Sequence, residues 1–403
     1  MKIAVDARPL RILRSFGNYT NQLIPLLLQG ATLQVGRVAP CQKIEWYLLG
    51  EAKDEKLYQE KLPGLDYHFI NLDNNWFSQN FRSFSNKIPQ ILKDQLFYAS
   101  YINVFKFDIL WHPDNKAFWF YFGKQITTVH DLMPLIFPQS FHAKFQYRFS
   151  YWLNTQALRF KANRITAISQ SAKNDLAKFL KIPQDRITII YQSGGEQYRV
   201  IEDLSRLDEV KQKFNLPSRF VLYAGGLNPH KNVETLVSAF AKYLEQSQDQ
   251  ETQLLIVGGG KNDLGVDQSL GIRQKIEEEG ISDRTRIIEF DKAREFLPEI
   301  QNLATIFVFP SLYEGFGMPP LEAMACGCPV ICSNAASLPE VVDDVGLLFD
   351  PTDIDQLAEQ IRQILQNEDL RNELKQKGLA QAKKFSWEKC AAETLKQLTY
   401  GQI

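Results

Sequence analysis

Long apolar runs are missing from this sequence of 403 residues, and no stretch approaches the roughly 20 apolar residues that a membrane-spanning helix needs. Cysteine is scarce, with five residues. Cys326, Cys328 and Cys332 cluster, but not at metal-ligand spacing with a second pair. Small buried packing residues and a reducing location are therefore the expectation. No Asp-x-Asp pair stands at the end of an expected strand, and no G-x-G-x-x-G follows the first one. A dinucleotide cofactor is thus unsupported. Lys and Arg form no dense run, which argues against a nucleic-acid partner. Lys2 to Val5 reads as a strand, so no signal-peptide core is expected there.

What is present is ordinary for a globular protein: 44% hydrophobic and 23% charged residues, with a formal net charge of −1. The length favours two domains over one core. Charge is unevenly divided. Residues 1–200 carry 25 Lys and Arg against 15 Asp and Glu, and residues 201–403 carry 21 against 32. A basic, aromatic-rich half suits peripheral contact with an anionic membrane or an anionic acceptor. Attraction between the two halves explains the asymmetry equally well.

Strand and helix signals alternate along both halves. In the first, Ile3–Val5, 45–49, 67–71, 108–111, 125–129 and 164–168 read as strands, with a loop through Gly17 before a helix carrying Leu23, Leu26 and Leu27. Ser169 is a candidate cap for a helix over 170–181. Residues 192–217 are charged and loop-like, and the linker is placed there. A second alternation follows, with strands at 220–223, 253–257, 285–289, 306–309 and 330–332. Two successive doubly wound α/β domains are the expected architecture.

The most informative stretch is LATIFVFPSLYEGFGMPPLEAMACGCPVICS, residues 303–333. A buried strand leads into a loop with Glu314, Gly315 and Gly317, and Pro319 and Pro320 then open a helix that ends near Gly327. Such a unit aims backbone N–H groups out of the carboxyl edge of a sheet, where anions bind. Two carboxylates, Glu314 and Glu322, stand at the same place. Carboxylates beside a phosphate site make sense as acceptors of hydroxyl hydrogen bonds, and a nucleotide-sugar carries both groups. Alternatively, Glu322 is a favourable charge in a first helical turn.

EGFGMPPLEAMACGCPV, with its glutamates Glu314 and Glu322, resembles the glutamate motif of the retaining glycosyltransferases of family 4 (the group 1 glycosyltransferases). VHDLMPLIFP (129–138), ITAISQSAKNDL (165–176), YAGGLNPHKNVETLVSAF (223–240), SLPEVVDDVGLLFDP (337–351) and FSW (385–387) extend the resemblance from end to end. It implies the GT-B fold: two Rossmann-like doubly wound domains facing a central cleft. The implied division is an acceptor-binding domain at 1–195, a donor-binding domain at 196–384, and a terminal helix at 385–403 that packs back on the first domain. The implied reaction moves a hexose, of mannose or glucose type, from a nucleoside-diphosphate sugar to a hydroxyl. The acceptor would be a glycan or a lipid-linked molecule, as in polysaccharide, lipid-linked oligosaccharide or glycolipid synthesis. No separate cofactor and no metal are implied. The expected location is cytoplasmic, compatible with peripheral attachment at the inner face of the membrane.

Residue by residue, the resemblance gives Glu322 the ribose hydroxyls and places Glu314 near the donor sugar. Gly315, Phe316, Gly317 and Met318 would contact the sugar and phosphate through their backbone. Lys231 would neutralise the diphosphate. His130 would lie close to the transferred sugar, and Gly17 would approach the donor phosphate. The sequence departs from the family where many members carry an arginine, here Gly226, and His230 stands where arginine is also common. Asp291 replaces a frequent glycine near the base. Two rivals remain: a nucleotide-sugar epimerase or hydrolase on the same fold, and a non-catalytic nucleotide-sugar-binding partner.

Overall fold

Short apolar runs become parallel strands, and amphipathic segments become their covering helices, in the computed structural model of the chain, which describes residues 1–11, 16–30, 44–74, 90, 93–138, 145–260, 267 and 269–399. The chain divides into two units. Residues 1–136, 141–192 and 386–403 form the first, and residues 137–140 and 193–385 the second.

Unit 1 runs β1 (Lys2–Asp6), α1 (Phe16–Gly30), β2 (Glu45–Gly50), α2 (Asp54–Lys61), β3 (His68–Asn71), β4 (Ile109–His112), β5 (Gln125–Val129), α3 (Phe145–Lys161), β6 (Arg164–Ala167), α4 (Gln170–Leu180) and β7 (Ile187–Ile189). Among the described residues its strands form a seven-stranded parallel sheet in the order β3-β2-β1-β4-β5-β6-β7. All residues of β4 and β5 are buried, as a strand covered on both faces requires. Ser169 caps α4 by accepting a hydrogen bond from the Ala172 N–H at 3.0 Å. Gly17 is not in a loop: it lies in the first turn of α1, where its carbonyl accepts hydrogen bonds from the Thr20 hydroxyl and the Asn21 amide. The preceding residues 12–15 of the expected loop lie outside the described residues.

Unit 2 runs α5 (Leu204–Lys213), β8 (Phe220–Gly225), α6 (Val233–Ser247), β9 (Gln253–Gly258), α7 (Leu270–Glu278), β10 (Thr285–Ile288), α8 (Leu297–Leu303), β11 (Ile306–Phe309), α9 (Met318–Ala325), β12 (Val330–Ser333), α10 (Leu338–Val342), β13 (Leu347–Phe349), α11 (Ile354–Gln366) and α12 (Glu368–Ala382). Its described strands form a parallel sheet in the order β10-β9-β8-β11-β12-β13. The segment 192–217, expected to be linker, holds helix α5. Asp203 caps it through the Ser205 and Arg206 N–H groups, and Leu207 and Val210 give it a buried face. The last helix, α13 (Trp387–Thr399), belongs to unit 1. Its Trp387, Cys390, Ala391 and Leu398 share one core cluster with Leu23, Ile24 and Leu27 of α1.

In each sheet the chain order reverses at one place, between β1 and β4 in unit 1 and between β8 and β11 in unit 2. At such a switch point the loops leaving the carboxyl ends of two neighbouring strands run to opposite faces and open a crevice.

Candidate active site

The unit 2 switch point carries the glutamate motif. β8 leads through Gly226, Leu227 and Asn228 to a 3-10 turn, Pro229–Lys231, and β11 leads to the loop holding Glu314. Asn232 joins these loops. Its backbone is left-handed at φ 54°, and its amide donates to the Pro310 and Pro351 carbonyls at 3.1 and 2.8 Å. The Leu312 N–H donates to the His230 carbonyl at 2.8 Å. With the loops fixed, the Lys231 ammonium stands 2.6 Å from a Glu314 carboxylate oxygen and 5.4 Å from the centre of the Phe309 ring.

Gly317 shapes the next turn. It precedes α9 with φ at 114°, and a Cβ there would sit 2.9 Å from the Leu338 side chain, so conformation and space both require glycine. The Ser337 hydroxyl closes the loop from behind, donating toward the carbonyls of Glu314 (3.0 Å) and Phe316 (2.7 Å). Met318 opens α9, with the prolines in its first turn.

Glu322 is the fifth residue of α9, beyond the first turn, so a favourable helix-dipole position does not account for it. Its carboxyl is pushed up to about 8 by burial, partly offset by a hydrogen bond from the Tyr198 hydroxyl. The same neighbourhood raises the Tyr198 phenol. Gly194 lies alongside, where a Cβ would stand 3.3 Å from the Glu322 Cγ. A carboxyl that keeps its proton at neutral pH both donates to and accepts from a hydroxyl.

Gly226 leaves open space: an added Cβ would meet only the Asn228 amide, at 3.9 Å. His230 does not supply the second cation. It is buried, and burial together with the Lys231 charge holds its imidazole down to about 4, so it is neutral at physiological pH. Cys326, Cys328 and Cys332 are buried free thiols, pushed up to about 12 or beyond by burial. Gly258 presses on the sheet edge, since a Cβ there would stand 2.6 Å from the Gly225 carbonyl oxygen. Asp291 lies in a short helical turn, Phe290–Ala293, after β10.

In unit 1, His130 follows β5 at the carboxyl edge. Its Nε2 is 2.9 Å from the Pro113 carbonyl, its backbone N–H donates to Asn115, and its ring meets Tyr19 edge-on at 4.7 Å. Burial lowers its imidazole to about 4. The loop that holds it, 113–116, also borders a buried ion cluster. Arg8 lies 2.6 Å from Asp6 and 2.5 Å from Asp94, and Lys116 is 3.0 Å from both Asp6 and Asp114. Burial alone would raise Asp6, but the Arg8 and Lys116 charges outweigh it and hold the carboxylate well below its ordinary range. The sequence signal was available, in charged residues directly after β1 and β4 at the switch point. Tyr198, Gly194 and Ser337 were missed because nothing local marks them.

The structure therefore groups Lys231, Glu314 and the 315–318 backbone in one loop cluster of unit 2, with Glu322 on the helix that follows. Gly226 is in the loop after β8, and Gly17 and His130 are in unit 1. Among the described residues, no group of three His, Cys, Asp or Glu side chains could hold a metal ion.

Two doubly wound α/β units with such loops define the GT-B class of fold. Similar solved structures include Anabaena Alr3699/HepE in complex with UDP and glucose (TM-score 0.70, 16% identity, 99% of each chain covered). WaaG, a glycosyltransferase involved in lipopolysaccharide biosynthesis, is also similar (TM-score 0.66, 15% identity, 100% of each chain). At the level of family, the description "Glycosyl transferases group 1" matches residues 206–381 and "Glycosyltransferase Family 4" residues 45–192. The Escherichia coli O-antigen chain mannosyltransferase B is 33% identical over 291 residues, 72% of this chain and 73% of that protein. The chain belongs to the group 1 glycosyltransferases of family 4. The serotype-specific mannosyltransferase WbdA of Escherichia coli is 34% identical over 66% of this chain, and the match spans about a third of that longer protein (32%).

Proposed function

We propose that this chain is a retaining hexosyltransferase, moving a mannose-type hexose from a nucleoside-diphosphate sugar to a hydroxyl of a growing glycan or lipid-linked acceptor. The observation that carries the reading is the Lys231–Glu314 pair at 2.6 Å on the two switch-point loops of unit 2. An ammonium held there offsets the charge that develops on a departing diphosphate. Glu314 accepts hydrogen bonds from sugar hydroxyls, the 315–318 backbone lies against sugar and phosphate, and the protonated Glu322 binds the ribose diol. Gly226 lets the backbone approach the diphosphate. His130 acts on the transferred sugar and Gly17 on the donor phosphate, as the family resemblance implies.

Retention needs no protein nucleophile in this scheme. The C1–oxygen bond to the diphosphate breaks as the bond to the acceptor oxygen forms on the same face, and the acceptor proton passes to the leaving diphosphate. The named activities of relatives, O-antigen chain mannosyltransferases, support the sugar class. The test is thermal-shift screening against GDP-, UDP- and ADP-hexoses. One class should raise the melting temperature, and Lys231→Ala should abolish the shift while leaving the fold intact. Donor cleavage at full rate without acceptor would favour a hydrolase. Donor binding with no turnover on any acceptor would favour a binding partner.

A further inference from the structure

The amino edge of the unit 1 sheet, where β4 to β7 begin, carries exposed apolar side chains among the described residues. Phe122 is 80% exposed and Val104 is 74% exposed, and Phe120, Phe160 and Phe179 are exposed as well. All five sit in segments that lead into β4, β5, β6 and β7, neighbouring strands of one sheet. The edge is opposite to the carboxyl edge that bears His130.

The most exposed pair is held in place by built contacts. The Asn103 amide donates to the Phe120 carbonyl at 2.7 Å and accepts from the Phe122 N–H at 2.9 Å. Tyr121, between the two phenylalanines, is buried, with its hydroxyl directed to the Phe107 carbonyl. Val104 therefore stands beside Phe120 and Phe122 on a clamped double turn. Phe160 packs 6.1 Å from Trp119, extending the same surface toward α3.

Charge identifies the occupant. Lys106, Lys124, Arg159, Lys161, Lys178 and Lys181 lie within these segments, against Asp108 and Asp185 as the acids. Aromatic and aliphatic tips ringed by Lys and Arg are the chemistry of an anionic bilayer interface, where rings enter the acyl boundary and cations meet headgroups. We propose that this edge seats the protein on an anionic lipid surface by inserting Val104, Phe120 and Phe122, with Lys106 and Lys124 on the headgroups. No described helix is long and apolar enough to cross a membrane, so the attachment is interfacial. This surface belongs to unit 1, and the donor loops belong to unit 2.

Flotation of the full chain with vesicles tests it, using phosphatidylcholine alone and phosphatidylcholine mixed with phosphatidylglycerol. The protein is expected to float with the anionic vesicles, to float less as salt rises, and to leave neutral vesicles largely unbound. Val104→Ser with Phe122→Ser should lower partition by about tenfold or more. Lys106→Gln with Lys124→Gln should lower it by about 25-fold, at about fivefold for each lost lysine. Circular dichroism identifies any variant that fails to fold, and the other pair then decides. Three results would overturn the proposal: no flotation of the wild type, equal flotation with neutral vesicles, or folded variants that float like the wild type. The first would point to a protein partner for this edge. Donor thermal shifts on the same samples report separately on the transferase reading.

Discussion

Glu322→Gln should make the protein more stable and a poorer donor binder, and the gain should depend on pH. The Glu322 carboxyl rises from 4.5 in the unfolded chain to about 8 in the folded protein, because burial penalises its charged form. Below pH 4.5 the group is protonated in both states and costs nothing. Between 4.5 and 8 the folded protein keeps a proton that the unfolded chain has released, so stability falls as pH rises, and above about 8 the loss is complete. At 1.36 kcal/mol for each pH unit the ceiling is about 5 kcal/mol. The side chain keeps some solvent contact, so an effect of about 2 kcal/mol is expected. Glutamine has nearly the same shape and no proton to lose. Urea denaturation at pH 5 and pH 9 should show near-equal stabilities at the lower pH and a variant ahead by about 2 kcal/mol at the higher. Donor affinity should fall by about tenfold, because the carboxyl proposed to bind the ribose is replaced by an amide with different hydrogen-bonding capacity. If wild type and variant show the same pH dependence, Glu322 is not the strained carboxyl described here.

Three further perturbations concern other candidate site residues. Gly226→Arg places a guanidinium where a Cβ has room, so stability should change by less than about 0.5 kcal/mol, while affinity for a nucleoside diphosphate rises and becomes more salt-sensitive in calorimetric titration. Gly317→Ala combines a left-handed backbone with a 2.9 Å approach to Leu338, and should cost about 1–3 kcal/mol in urea denaturation together with most donor binding. His130 and His230 both titrate near 4 when folded, against 6.5 in the unfolded chain, so unfolding takes up protons across that window. Stability should therefore fall as pH drops from 6.5 through 4, and replacing both histidines with asparagine should flatten that slope.

The strands were the legible part of the fold. The runs 125–129 and 306–309 match β5 and β11 residue for residue: β11 is a continuous apolar run and β5 is rich in β-branched Ile, Thr and Val, both patterns that suit a fully buried parallel strand. β7 and β13, three residues each, give too short a pattern to register. Helix α5 was hidden by its charge, although the Asp203 cap and the Leu207 and Val210 spacing were present. At the site, the glutamate motif could be read because a strand, a tight turn and a proline-opened helix are all local. Tyr198 against Glu322, Ser337 behind the 314–316 loop and Arg8 against Asp94 join residues remote in sequence, and spacing alone does not pair them. His230 shows the opposite error. As a residue type it is a candidate cation, and only its burial shows that it stays neutral.

The central claim is hexose transfer from a nucleoside diphosphate with retention at the anomeric carbon. Proton NMR of the reaction with an α-linked nucleoside-diphosphate mannose and a mannoside acceptor tests it most directly. The account predicts an α-mannosidic product formed together with free nucleoside diphosphate, and loss of both in Lys231→Ala. A β-linked product, or no product and no binding with any nucleoside-diphosphate hexose, would contradict it.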